Sequence, residues 1–91
     1  MSMLERDIVI TNQLGLHARA SAKLVQLMSG FRAEAFLRRN DREVNAKSIM
    51  GVLLLAAGVG STVTLRVDGE DEEAAMQAAL SLFERKFDES S

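Results

Sequence analysis

His17 is the only histidine in the chain, and it lies in the run Gly15-Leu16-His17-Ala18-Arg19-Ala20-Ser21, where a strand-like segment ends and a helix-like one begins. A neutral imidazole is a nucleophile, and a helix start can hold the phosphoryl group that such a nucleophile would carry. The first N–H groups of a helix have no intrahelical partner, and they sit at the positive end of its dipole. Here the backbone N–H groups of Ala18 and Arg19 would be the donors, and the Arg19 guanidinium would add a charge for the phosphoryl oxygens. Taken alone, a single histidine in a glycine-containing loop is more often solvated or capping than nucleophilic, so the reading rests on what surrounds it.

The elements that would position this loop can be read from the spacing of apolar residues. Residues 4–11 end in a β-branched stretch, Ile8-Val9-Ile10-Thr11, that reads as a strand, and residues 12–15 turn. Ala20, Leu24, Leu27, Met28 and Phe31 recur at helical spacing, which predicts a helix over 18–29 stopped by Gly30. Residues 32–38 and 42–45 flank Arg39-Asn40-Asp41, a plausible hairpin connection. Residues 48–56 are nearly all apolar and fit a buried strand or a short helix; Ser48 is a good N-cap and tilts the reading to helix. Ala57-Gly58-Val59-Gly60 breaks it. Val63, Leu65 and Val67 then alternate with polar residues as in a half-buried strand over 61–68. After a loop and an acidic first turn, Met76, Ala79, Leu80, Phe83 and Phe87 mark a last helix, with Ala75 and Leu82 widening its apolar stripe. The order is βαββαβα. The fold class expected is α+β: an open-faced sandwich of a four-stranded antiparallel sheet with three helices on one face.

Composition narrows the chemistry. Ninety-one residues make one small domain, expected to span 1–91, and no proline, repeat or low-complexity stretch suggests a linker. The absence of cysteine removes disulfides, thiolate nucleophiles and cysteine zinc sites, and one histidine removes a multi-histidine metal site, so neither metal nor cofactor is expected. Glu5, Arg6 and Asp7 interrupt the first ten residues as no signal peptide would, and no apolar run is long enough to span a membrane; a cytoplasmic protein is expected. Eleven basic and thirteen acidic residues leave a formal charge of −2, which does not suit nucleic acid. Acid gathers at Glu70–Glu73 and Asp88-Glu89, whereas Arg19, Lys23, Arg32, Arg38, Arg39, Arg42 and Lys47 lie in the first half, predicting a mildly basic region near His17 for an acidic docking face.

Three features converge: Gly15-Leu16-His17-Ala18-Arg19 after the first strand, Lys47-Ser48-Ile49-Met50-Gly51-Val52 at the middle helix, and the βαββαβα order in about ninety residues. Together they resemble the HPr family, the histidine-containing phosphocarriers of the bacterial phosphoenolpyruvate-dependent phosphotransferase system. The resemblance covers essentially the whole chain. It implies a relay in which His17, through Nδ1, accepts a phosphoryl group from phosphorylated enzyme I and passes it to an enzyme IIA-type acceptor, with Ala18 and Arg19 about the phosphate. It leaves open whether the pathway ends in sugar uptake or in a nitrogen- or carbon-related regulatory branch. The family commonly has proline after the arginine, where this chain has Ala20; alanine keeps the N–H and loses the stiffening of the first turn.

The resemblance further implies that Ser48 is the position phosphorylated by an HPr kinase/phosphorylase, although a serine before a helix is usually only its cap. It also implies that Ile49 and Met50, at the start of the middle helix beside the His17 loop, form an apolar contact patch flanked by Arg19, Lys23 and Lys47. Such a shuttle is expected to be a monomer and a stoichiometric carrier, not an enzyme. A different class of function is an RNA-binding platform on the open sheet, but the chain has no Tyr or Trp and only Phe36 of its four Phe falls in a predicted strand. A third reading is a regulator working through Ser48 alone.

Overall fold

In a computed structural model, residues 3–89 are described; the unit expected over 1–91 extends two residues beyond them on either side. The elements are β1 (Leu4–Val9), α1 (Ala18–Ser29), β2 (Glu34–Arg39), β3 (Arg42–Asn45), α2 (Ile49–Leu54), β4 (Thr62–Asp68) and α3 (Glu72–Glu84), in the βαββαβα order read above. The strands form one antiparallel sheet in the order β1-β4-β2-β3. The helices cover one face of it, giving the open-faced sandwich.

Alternation in β4 decides which face is covered. Val63, Leu65 and Val67 are fully buried, and they meet Ile8, Ala35 and Leu37 of the neighbouring strands under α1 and α3. From α1 come Ala20, Leu24, Val25 and Met28, with Leu27 and Phe31 packed at the margin, as the helical spacing required. The ambiguous apolar run is a helix: Ser48 is its N-cap, and its hydroxyl oxygen accepts the Gly51 N–H at 3.1 Å.

Much of the uncovered face pairs its own charges. Arg66 reaches Glu43 at 3.0 Å and lies 4.5 Å over the Phe36 ring, Arg38 lies 3.9 Å from Glu5, and the Thr64 hydroxyl donates to Asp7 at 2.7 Å. Phe36, the one strand aromatic an RNA base would stack on, is therefore already covered by a guanidinium.

The last apolar stripe needs a correction. Phe87 does not continue α3, which stops at Glu84; Lys86, Phe87 and Asp88 all have left-handed backbone angles, with φ of 56°, 56° and 61°. Left-handed residues other than glycine cost about 1–2 kcal/mol each. Packing offsets that cost: Phe87 is 1% exposed, its ring meets Phe83 edge-on with centroids 4.9 Å apart, and the Lys23 ammonium donates to its carbonyl at 2.8 Å. The ring thus reaches the core from a reversed turn, and the chain beyond it is sent back toward the start of α1.

Candidate functional site

The loop before α1 is built around Gly15. Its φ of +66° is left-handed, and a Cβ there would lie 2.7 Å from both the Ala57 carbonyl oxygen and the Gly58 Cα. This closeness lets the Leu16 N–H donate to the Ala57 carbonyl at 2.9 Å. Asn12, buried below, donates from Nδ2 to the Gly15 carbonyl at 2.8 Å, and the Ser21 hydroxyl donates to the Leu16 carbonyl at 3.1 Å. Backbone and side-chain bonds therefore hold the chain on both sides of Leu16, which is itself buried.

His17 follows as the N-cap of α1, with extended backbone (φ −75°, ψ −178°). The first helical hydrogen bond runs from the Ser21 N–H to the His17 carbonyl at 2.8 Å, so the N–H groups of Ala18, Arg19 and Ala20 lie ahead of it with no intrahelical acceptor. Ala18 and Arg19 are exposed, and Arg19 engages no carboxylate among the described residues. Ala20 is fully buried and packs in the core.

Glu89 completes the site, and sequence reasoning missed it. Its Oε2 accepts from His17 Nε2 at 2.5 Å and from Asn12 Nδ2 at 3.2 Å, although it stands 72 residues from the histidine. The His17 bond holds the Glu89 carboxyl below the ordinary carboxylate range, against the partial burial that pushes it up; Asn12 adds in the same direction as His17. The stability this contact lends is present above the ordinary glutamate range and is lost only as pH falls through the lowered value. No local signal pairs residues 17 and 89. The left-handed turn at 86–88 brings them together, and it carries no glycine to announce it.

The predicted basic region is correspondingly altered, because the acidic end of the described chain folds onto it. Lys23 donates to the Phe87 carbonyl and lies 3.7 Å from Asp88, so it holds the segment after α3. Lys47 donates to the Phe31 carbonyl at 2.8 Å, past the far end of α1, whereas Ala57, past the end of α2, is bonded to Leu16. The two helices thus run in opposite directions, and the segment abutting the His17 loop is the one after α2, not its start. Ile49 and Met50 are exposed, as a contact patch requires, and so are Leu14 and Val59, which flank the His17 loop and the segment packed on it. Ser48 is half-buried in its capping role.

This fold, with a histidine capping the first helix, is that of a small phosphocarrier: the family model for the PTS HPr component phosphorylation site matches residues 4–85. The chain belongs to the HPr family of the phosphotransferase system. It is 60% identical over 87 residues to the phosphocarrier protein HPr of Xylella fastidiosa (strain 9a5c), covering 96% of this chain and 98% of that protein. It is 45% identical over 91 residues to the phosphocarrier protein NPr of Shewanella violacea, covering all of both. Among solved structures, HPr-C-His from Thermoanaerobacter tengcongensis superposes with a TM-score of 0.93 at 42% identity, over 97% of this chain and 99% of that one. No helix among the described residues is long and apolar enough to cross a membrane.

Proposed function

We propose that this chain is a cytoplasmic, monomeric phosphoryl carrier, taking a phosphoryl group from phosphorylated enzyme I onto His17 Nδ1 and handing it to an enzyme IIA-type acceptor. The observation that carries the reading is the placement of His17 at the cap of α1, ahead of the unpaired N–H groups of Ala18, Arg19 and Ala20. In the step, the Nδ1 lone pair attacks phosphorus; the N–P bond forms as the donor's bond breaks, and the donor atom keeps the electron pair. Onward transfer reverses this at the acceptor. Phosphoryl transfer through a loose transition state asks mainly for in-line positioning and positive potential, which the helix start and Arg19 supply without a metal. The carrier is consumed and regenerated once per group, so it is a stoichiometric participant and not an enzyme.

The test is intact-mass analysis after incubation with phosphoenolpyruvate and enzyme I. One added phosphate, lost in acid and absent in His17→Ala, is expected. An unmodified, folded protein with active enzyme I would overturn the relay, as would labelling that persists without His17.

Docking falls to the apolar side chains exposed on the helix side, including Ile49 and Met50, with Arg19, Lys23 and Lys47 at the margin. Met50 is 69% exposed, so Met50→Asp should leave stability within about 0.5 kcal/mol while placing a like charge against an acidic partner. We expect kcat/KM for transfer from enzyme I to fall about tenfold, or ~1.4 kcal/mol; unchanged transfer kinetics would remove Met50 from the patch. Ser48 is the proposed target of an HPr kinase/phosphorylase. A phosphate there would replace the hydroxyl cap by stronger acceptors while adding roughly two negative charges to the same side of the molecule. The fold would tolerate it, and docking to an acidic partner would weaken.

A further inference from the structure

We propose that Glu89 is a positioning residue for phosphoryl transfer: its carboxylate holds the proton of His17 on Nε2 and thereby presents Nδ1 as the reacting lone pair. The proposal rests on the relay reading above and deepens it. Three observations carry it. Glu89 Oε2 lies 2.5 Å from His17 Nε2, and an ionised carboxylate only accepts, so the ring nitrogen facing it must carry hydrogen. Glu89 is itself oriented: Asn12 Nδ2 donates to the same Oε2 at 3.2 Å while donating to the Gly15 carbonyl at 2.8 Å, which ties the carboxylate to the loop that holds His17. Finally, the segment bearing Glu89 is anchored by the buried Phe87 ring, by the Lys23 ammonium on the Phe87 carbonyl, and by Arg85 on Asp88 at 3.0 Å, so the contact is built into the fold. Asn12 is held there at a cost, since its Oδ1 is buried without a partner among the described residues.

The arrangement has a chemical consequence in both directions of transfer. As the N–P bond forms at Nδ1, the ring gains positive charge, and the Glu89 carboxylate stabilises it across the Nε2–H bond. No proton need move: Nε2 keeps its hydrogen while Nδ1 donates its pair to phosphorus, and keeps it again when the N–P pair returns to Nδ1 on transfer to the acceptor. The ring therefore departs as a neutral imidazole with its proton already in place. A carboxylate on Nε2 also restrains the ring plane, and so the direction in which the Nδ1 lone pair points.

The experiment uses the full chain with Glu89→Ala and Glu89→Gln, enzyme I and phosphoenolpyruvate in rapid-quench kinetics, and ¹⁵N-edited NMR of the His17 ring in the unphosphorylated protein. In the unsubstituted protein we expect a downfield, exchange-protected Nε2–H proton. Glu89→Ala should abolish that resonance and lower the saturating transfer rate about tenfold, with KM for enzyme I within twofold. Glu89→Gln, which keeps an acceptor oxygen without the charge, should retain the resonance and lose less rate. A saturating rate within twofold of the original in Glu89→Ala, a change confined to KM, or an unprotected Nε2–H in the original protein would each overturn the proposal. The NMR arm needs no phosphorylation. A protected Nε2–H in a protein that takes no phosphate would count against the relay alone, and its absence in a protein that does take phosphate would count against Glu89 alone.

Discussion

Replacing Gly15 by alanine is expected to cost about 2–5 kcal/mol of stability, combining the left-handed penalty with overpacking. On the proposed relay, the fraction that folds should also accept a phosphoryl group on His17 about a hundredfold more slowly, the cost of a displacement of roughly 1 Å at a reacting atom. Gly15 holds φ at +66°, and the added Cβ would meet two backbone atoms at 2.7 Å, neither able to rotate away. Relief requires the loop to lift from residues 57 and 58. That motion breaks the Leu16 N–H bond to the Ala57 carbonyl and carries His17, the next residue, off the cap of α1. Thermal denaturation reads the first effect and rapid-quench transfer from enzyme I the second. A variant with unchanged melting and an unchanged transfer rate would show that the loop position is not set by this close approach.

The second large effect is expected at Phe87→Ala. The ring is buried and packed edge-on against Phe83, so truncation removes a core aromatic and should cost about 3–5 kcal/mol. In a domain of about ninety residues each kcal/mol shifts the midpoint by roughly 4–8 °C, so a drop of at least ~12 °C is expected. The variant has a second readout. The three left-handed residues at 86–88 are held chiefly by the buried ring, with Lys23 and Arg85 as lesser ties, and without the ring the segment should relax and release Glu89 from His17. Loss of the protected Nε2–H proton at temperatures well below the melting midpoint would register that release. A Phe87→Ala protein melting within 3 °C of the original would mean that the ring contributes little to the core.

Much of the architecture was legible because it depends on local repetition. The 3.6-residue spacing of Ala20, Leu24, Leu27 and Met28, and the strict alternation at 63–67, leave little choice of element or of buried face. The bounds of α1 follow directly, and the βαββαβα order follows once the Ser48 cap decides that the apolar run after it is a helix. His17 was legible for the same reason, since a strand, a glycine turn and a helix start lie within one short stretch. What could not be read depends on distant residues meeting. Phe87 fits a helical stripe at i+11, and nothing in Arg85-Lys86-Phe87-Asp88 signals a left-handed reversal, because glycine or asparagine is the usual mark of one. By sequence Glu89 therefore belongs with the acidic end, apart from the basic first half, whereas the reversal lays it against the histidine. The opposed directions of α1 and α2 were hidden likewise, since they are set by Leu16 on Ala57 and Lys47 on Phe31, pairs separated by 41 and 16 residues.

The pairing of charges across much of the open sheet face bears on traffic through the carrier. With Arg66, Glu43, Arg38, Glu5, Asp7 and Thr64 engaged with one another, partners gain little by displacing those contacts. On the proposed relay, donor and acceptor must therefore queue for the same helical side, because the reacting histidine and the exposed Ile49 and Met50 of α2 lie there. A complex of all three proteins is then sterically forbidden. Throughput is governed by how quickly each visitor leaves, and an excess of unphosphorylated donor would jam delivery to the acceptor, as a shuttle stalls when its only berth stays occupied.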